Sequence, residues 1–250
     1  MKALLHGPQK RVFAALLLVA SVLGTAATSQ AATITADFNG DGRSDTATIT
    51  AASGSISIAH GGGGTTSYGL PANWLTISAV ELNGTAGLEL VASYAGTSVW
   101  VVDDRIRTTR LYLATPAGAG RVIYFSEMNG VAGNEVAFIN NDGTIWVIDD
   151  RARKTRLYNV PAIGSGGGPR YVKIGEFNGA AGNEVMFSYI DGRSYVVDDR
   201  LHTTRAYFYF TSGGAPTYAN VDGVAGLEAI FTYTFGQVWV VDRTRKVVYR

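Results

Sequence analysis

The chain contains no cysteine among its 250 residues, so no disulfide staples it and no thiolate is at hand for a zinc site or a nucleophile. Histidine is nearly as scarce. Of three, only His60 and His202 lie beyond the N-terminal stretch described below, neither in a repeated motif. A GxSxG nucleophile elbow, an HExxH metal helix and a phosphate-binding loop are all missing, which lowers the expectation of catalysis without excluding a carboxylate pair distant in sequence. No run with a sustained helical period is present either.

Charge of one sign is also lacking. Lys2, Lys10 and Arg11 precede an uncharged apolar run, Val12 to Leu23, and small residues follow to Ala31. This is the order of a secretory signal peptide over residues 1–31, leaving a secreted, extracellular domain at 32–250. The run is shorter than the ~20 residues that span a bilayer, and nothing later is apolar and long enough, so no membrane insertion is expected. Three of the 21 Lys and Arg lie in this leader and no Asp or Glu does, so the remainder has a net charge of −2. That balance gives no electrostatic reason to expect nucleic acid as a partner.

What is present is a repeat. Glu127 to Tyr158 reads EMNGVAGNEVAFINNDGTIWVIDDRARKTRLY, and Glu81 to Tyr112, Glu176 to Tyr207 and a shortened Asn220 to Tyr249 follow it at the same register. A divergent copy begins at Asp37. The equivalent acidic residues Asp45, Glu89, Glu135, Glu184 and Glu228 are 44, 46, 49 and 44 residues apart, close to the ~40–45 of a four-stranded propeller blade. Each copy holds four short apolar runs separated by turn signals; in the third these are 121–128, 135–140, 144–149 and 155–160. The pattern predicts an all-β repeat protein, a five-bladed β-propeller with four-stranded blades at about 33–75, 76–115, 120–162, 169–211 and 215–250. An open β-solenoid of stacked repeats is the alternative.

The most chemically specific stretch is DFNGDGRSD, Asp37 to Asp45. Side-chain oxygens at Asp37, Asn39, Asp41 and Asp45, a bend at Gly42 and the Arg43 carbonyl together supply hard ligands of the kind Ca2+ takes. An Asx-rich turn without an ion is the alternative, and four side-chain oxygens within nine residues favour calcium. The loop resembles that of the FG-GAP or VCBS repeats of integrin-α-like β-propellers, D-x-[DN]-x-D-G-x-x-D. The resemblance implies one structural, non-catalytic Ca2+ on Asp37, Asn39, Asp41, the Arg43 carbonyl and Asp45. Later copies replace the fifth position by Thr85, Val131, Ala180 or Val224 and move the glycine to Gly87, Gly133, Gly182 or Gly226, and are expected to be held by hydrogen bonds instead.

A second constellation is the turn Asp103-Asp104-Arg105 with Arg110, repeated at Asp149-Asp150-Arg151 with Arg156, Asp198-Asp199-Arg200 with Arg205, and Asp242-Arg243 with Arg245. Repetition favours blade-to-blade ion pairs or turn hydrogen bonds over a single hydrolytic carboxylate pair. Strand order puts these turns and the NG loops on one face. The opposite face should collect the stretches His60 to Tyr68, Pro116 to Gly120, Gly164 to Gly168 and Ser212 to Ala215.

A third constellation is aromatic. Trp100, Trp146, Tyr195 and Trp239 share one register position and are expected to pack between blades. Tyr112, Tyr158, Tyr207 and Tyr249 share another and are candidate platforms for sugar rings. The expected function is therefore non-enzymatic, multivalent recognition of an extracellular glycan or glycoprotein. A protein-binding or scaffold propeller and a secreted hydrolase are the alternatives.

Overall fold

A computed structural model describes residues 31–72, 74–94, 98–113, 121–140, 143–160, 171–189, 193–209, 216–232, 238–241 and 247–249. The leader at 1–31 lies outside them except for Ala31, which opens the first strand. The described residues are all-β. The first blade comprises β1 to β4 (Ala31–Ala36, Asp45–Thr50, Ser55–Ala59, Thr65–Gly69), and the second β5 to β8 (Trp74–Val80, Glu89–Tyr94, Ser98–Asp103, Thr108–Leu113). The third comprises β9 to β12 (Arg121–Ser126, Glu135–Asn140, Thr144–Asp149, Lys154–Asn159), and the fourth β13 to β16 (Tyr171–Gly175, Glu184–Ser188, Arg193–Asp198, Thr203–Tyr209). The fifth is β17 to β20 (Thr217–Ala219, Glu228–Thr232, Val238–Val241, Val247–Tyr249). Every sheet is an antiparallel meander of four consecutive strands, none borrowed from another repeat.

Alternation along a strand explains why one repeat cannot stand alone. In β10, EVAFIN is buried at all six positions. Val136 and Phe138 point into the core shared with the second blade, whereas Ala137 and Ile139 point into the core shared with the fourth. Successive side chains face opposite sides of a sheet, so a strand apolar at every position needs a neighbour on each side. Four such cores join blades one to five in sequence order. Trp100, Trp146, Tyr195 and Trp239 each pack against the core between their own blade and the one before it, as expected for this set.

The loops between first and second strands stack as well. The backbone N–H groups of Leu88, Asn134, Asn183 and Leu227 donate to the carbonyls of Asp37, Glu81, Glu127 and Glu176 of the preceding loop, at 2.7 to 3.0 Å. Close approach is what moves the glycine in these copies. Gly133 has φ 115°, and a Cβ there would stand 2.7 Å from the Leu82 carbonyl oxygen. Gly223, in the last loop, has φ 75° with nothing within 4 Å. Gly133→Ala is therefore expected to lose roughly 3 kcal/mol in denaturant unfolding, from strain and a displaced neighbour, and Gly223→Ala only about 1 kcal/mol, from the left-handed backbone alone. Equal losses would mean that the loops do not bear on one another.

Candidate functional site

Each first loop is organised around a buried carboxylate on the second strand. Glu89, Glu135 and Glu184 accept the backbone N–H of Leu82, Met128 and Phe177 at 2.6 to 2.7 Å, and the side-chain amides of Asn83, Asn129 and Asn178 at 2.5 Å. The same amides reach the first aspartate of the acidic turn: Asn129 Nδ2 lies 3.2 Å from Asp149 Oδ2, and Asn178 Nδ2 lies 3.0 Å from Asp198 Oδ2. That first aspartate also caps its own turn, Asp149 Oδ1 accepting from Ala152 N at 2.8 Å and Asp198 Oδ1 from Leu201 N at 2.9 Å. Loop and turn therefore form one polar layer on the same face of blades two to four.

The second aspartate of each turn serves the neighbouring blade. Asp150 accepts both Arg110 Nε, at 2.7 Å, and Arg110 Nη2, and also the Tyr112 hydroxyl, all from the preceding blade. Asp199 is held in the same way by Arg156 and by the Tyr158 hydroxyl at 2.5 Å. Arg156 Nη2 bridges back to its own Asp149 at 3.2 Å, so one guanidinium ties two carboxylates across the seam. Hydrogen bonds and charge from Asp199 hold Arg156 protonated against burial, and burial with the Asp150 and Asp199 contacts pushes the Tyr112 and Tyr158 hydroxyls far up. Burial also raises the glutamates, with nearby acidic groups adding to it and backbone N–H donors opposing, to about 7 for Glu89 and Glu184 and about 8 for Glu135.

The first blade follows a different chemistry. Register places His60 where the later blades have Asp103, Asp149 or Asp198, and Thr66 where they have Arg110, Arg156 or Arg205. His60 Nε2 meets Thr66 Oγ1 at 2.7 Å, and Tyr68 takes the place of Tyr112, donating its hydroxyl to Asp104 at 2.5 Å. His60 to Gly64 thus form the turn between β3 and β4, on the face of the NG loops and not on the opposite face as the sequence reading had it. The error lay in reading the glycine run as a long outer connection, when it is a tight turn closed by His60 N to Gly64 O at 3.0 Å. Pro116 to Gly120, Gly164 to Gly168 and Ser212 to Ala215 lie outside the described residues, as do Asp242, Arg243 and Arg245.

The loop expected to hold calcium is closed by its own amides. Asp37 accepts Gly40 N at 2.7 Å and Gly42 N at 2.9 Å, Asn39 accepts Asp41 N at 2.9 Å, and Asp41 accepts Arg43 N at 2.8 Å. Asp45, fully buried, accepts Phe38 N and Gly61 N, both at 2.9 Å. Among the described residues the acidic and histidine side chains that converge on one point are Asp45, His60 and Asp104, not Asp37, Asp41 and Asp45.

The tyrosine platforms need a correction. Tyr112 and Tyr158 are only 8% and 6% exposed, with their hydroxyls spent on the next blade, so neither ring offers a face to a sugar. A tyrosine on the fourth strand looks like surface in the sequence, but its register points it into the seam. The side chains of Tyr207 and Tyr249 lie outside the described residues. Sequence reasoning missed His60, Tyr68 and the asparagine amides of the loops. Tyr68 could have been found by aligning the first copy through its fourth strand.

Fold and polar layer together define an all-β propeller whose blades are clasped by buried ion pairs. No protein-family profile matches the chain, and no curated protein matches it by sequence. Solved structures resemble it in fold. The BBS1N chain in its complex with ARL6DN matches at a TM-score of 0.47 and 13% identity, over 86% of this chain and 66% of that one. A streptogramin B lyase matches at 0.44 and 12%, over 88% and 72%. Sqt1 of Saccharomyces cerevisiae matches at 0.45 and 13%, over 82% and 57%. The chain thus spans less than two thirds of the length of BBS1N and Sqt1.

Arg156→Ala strands Asp199 in the seam, and is expected to lose about 3 kcal/mol in denaturant unfolding. Arg205, 45% exposed and bonded to Asp198 within its own blade, should cost under about 1 kcal/mol when replaced by Ala. Similar losses would refute the seam role. The glutamates set a pH response. Their folded pKa values lie above the 4.5 of the free side chain, so the folded state binds more protons in between. Their contribution is complete below pH 4.5 and lost as pH rises through 7 to 8. The melting temperature should therefore fall between pH 6 and about 8.5, and a flat profile would mean that these carboxyls ionise normally.

Proposed function

We propose that this protein is a non-catalytic recognition propeller, acting outside the cell, whose contact surface is the end carrying the NG loops and acidic turns. Its partner is a protein presenting acidic and apolar side chains together. The observation that carries this reading is where exposed apolar residues fall. Of the seven large hydrophobic side chains exposed among the described residues, five lie on that end: Ile106, Val131, Leu201, Val221 and Val224. Exposed arginines alternate with them, namely Arg105, Arg107, Arg151, Arg153 and Arg200. Asp150 and Asp199 beneath are held by Arg110 and Arg156, and among the described residues Arg105, Arg107 and Arg200 make no ion pair, so their guanidinium groups can meet a partner. Arginine, which is enriched at protein interfaces, is set here among exposed aliphatic side chains.

A glycan is the second reading, on one observation. A cavity of about 310 Å³ opens at the seam of the second and third blades, lined by Asn83, Thr85, Arg105, Arg151 and Arg153 among others, a size and polarity suited to an acidic sugar. Membership of the FG-GAP/VCBS repeats belongs to the same proposal and is supported by repeat length, strand count and the Asp37 to Asp45 loop.

The test compares two variants of the purified chain against extracellular proteins in pull-downs and against a glycan array. Reversing Arg105, Arg151 and Arg200 together to Glu should weaken capture by roughly tenfold or more and reduce its salt dependence. Placing Arg at Leu111 and Leu157, on the outer fourth strands, should leave capture unchanged. Binding of acidic glycans alone would move the assignment to the second reading. Loss with the outer-strand variant would place the contact surface elsewhere, and turnover abolished by one carboxylate change would make the protein a hydrolase.

A further inference from the structure

We propose that the seam between the first and second blades is a binding site for a divalent transition-metal ion of the zinc class, held by Asp45, His60 and Asp104. The argument starts from what this seam lacks. At the next two seams the buried second aspartate receives a tyrosine hydroxyl and two N–H groups of an arginine. At this one, Asp104 receives Tyr68 on Oδ1, while Thr66 stands in the arginine's place. Asp104 is 3% exposed, and its Oδ2 is buried with no hydrogen-bond donor. Asp45, fully buried, faces the same point. Two carboxylates therefore converge where the next two seams supply a guanidinium, and the Asp104 oxygen left without a donor is costly to bury.

The geometry suits an ion better than a hydrogen bond. His60 Nδ1 lies 3.7 Å from Asp45 Oδ1 and 3.6 Å from Asp104 Oδ2, both too long for hydrogen bonding. Ligands about 2.1 Å from a tetrahedral centre stand roughly 3.4 Å apart, close to the two distances from His60, and all three ligand atoms lie within 4.8 Å of one another. Thr66 Oγ1 at 2.7 Å from Nε2 orients the imidazole from behind and leaves Nδ1 aimed at the carboxylates. The Asn39 amide, 3.3 Å from Nδ1, is displaced by a bound ion and keeps Asp41 Oδ2 as an acceptor. One neutral imidazole with two carboxylates neutralises a +2 charge, and the nitrogen favours zinc over calcium or magnesium, which take oxygen. The remaining coordination position faces a cavity of about 360 Å³ lined by Asn39, His60, Asp104 and Arg107 among others, open to water or an exogenous carboxylate. The site shares Asp45 with the calcium loop that the sequence suggested, but uses neither Asp37 nor Asp41.

That difference makes the test. The untagged full chain, stripped with chelator, is titrated calorimetrically with Zn2+ and separately with Ca2+, and loaded with Co2+ for its visible spectrum. The expected result is one Zn2+ per chain and a Co2+ d–d band. His60→Gln and Asp104→Asn should each weaken Zn2+ binding by roughly 100-fold or more and abolish the band, whereas Asp41→Ala should leave both unchanged. Circular dichroism establishes that each variant is folded. His60→Gln keeps the test decisive if Asp104→Asn loosens the seam. Absence of Zn2+ uptake by the unmodified chain, uptake indifferent to His60→Gln, or a loss on Asp41→Ala equal to that on His60→Gln would overturn the proposal.

Discussion

The structure depends on one constraint: blades two to four are apolar on both faces, and each must meet its neighbours at a fixed register. Apolar packing alone is nondirectional and would tolerate sliding of one sheet over the next. The aspartates buried in the seams remove that freedom. Asp150 and Asp199 satisfy their oxygens only when the tyrosine and arginine of the preceding fourth strand arrive at the right height. A misplaced blade leaves a buried carboxylate unpaired, at a cost of several kcal/mol. The stacked first loops repeat the constraint at the other side of the layer, through backbone bonds from Leu88, Asn134, Asn183 and Leu227.

This clasp runs in one direction and changes character at its start. The first blade has Gly61 where the second has Asp104, so it offers no aspartate to a tyrosine arriving from a preceding blade. Its own tyrosine, Tyr68, reaches forward normally, but the arginine and the first aspartate are replaced by Thr66 and His60. At the far end Gly223 stands uncovered where Gly40, Gly84 and Gly130 are each overlaid by the next loop. The divergence of the first copy is thus concentrated where its polar layer meets the second blade. Chemistry foreign to the other seams gathers at that junction, and the metal proposal rests there.

Using the aspartates internally also shapes the surface. With Asp150 and Asp199 paired across the seams, Arg105, Arg151 and Arg200 point outward beside Ile106, Ala152 and Leu201. One turn motif therefore does two jobs. Its first two residues hold the blades, and its third and fourth form the exposed rim. The repeat gives that rim a regular spacing across consecutive blades, which is the property an extended partner can use.

Much was legible in the residues alone, because some of the physics is local. The spacing of Asp45, Glu89, Glu135, Glu184 and Glu228 reports the blade length, alternation within each run reports strands, and the repeated aspartates and arginines report pairing. The sequence by itself determined five four-stranded meanders, a core position for Trp100, Trp146, Tyr195 and Trp239, and loops held by side-chain oxygens. Tertiary structure alone decided which blade each polar group serves. Asp103 and Asp104 are adjacent in the chain yet bind different blades, Tyr112 is buried though it lies on an outer strand, and Asp45 meets His60 and Asp104 rather than Asp37 and Asp41. The reason is physical. A strand's period fixes which side a residue faces, but its partner comes from another sheet some 40 residues away in sequence, and only the packed seam sets the distance between them.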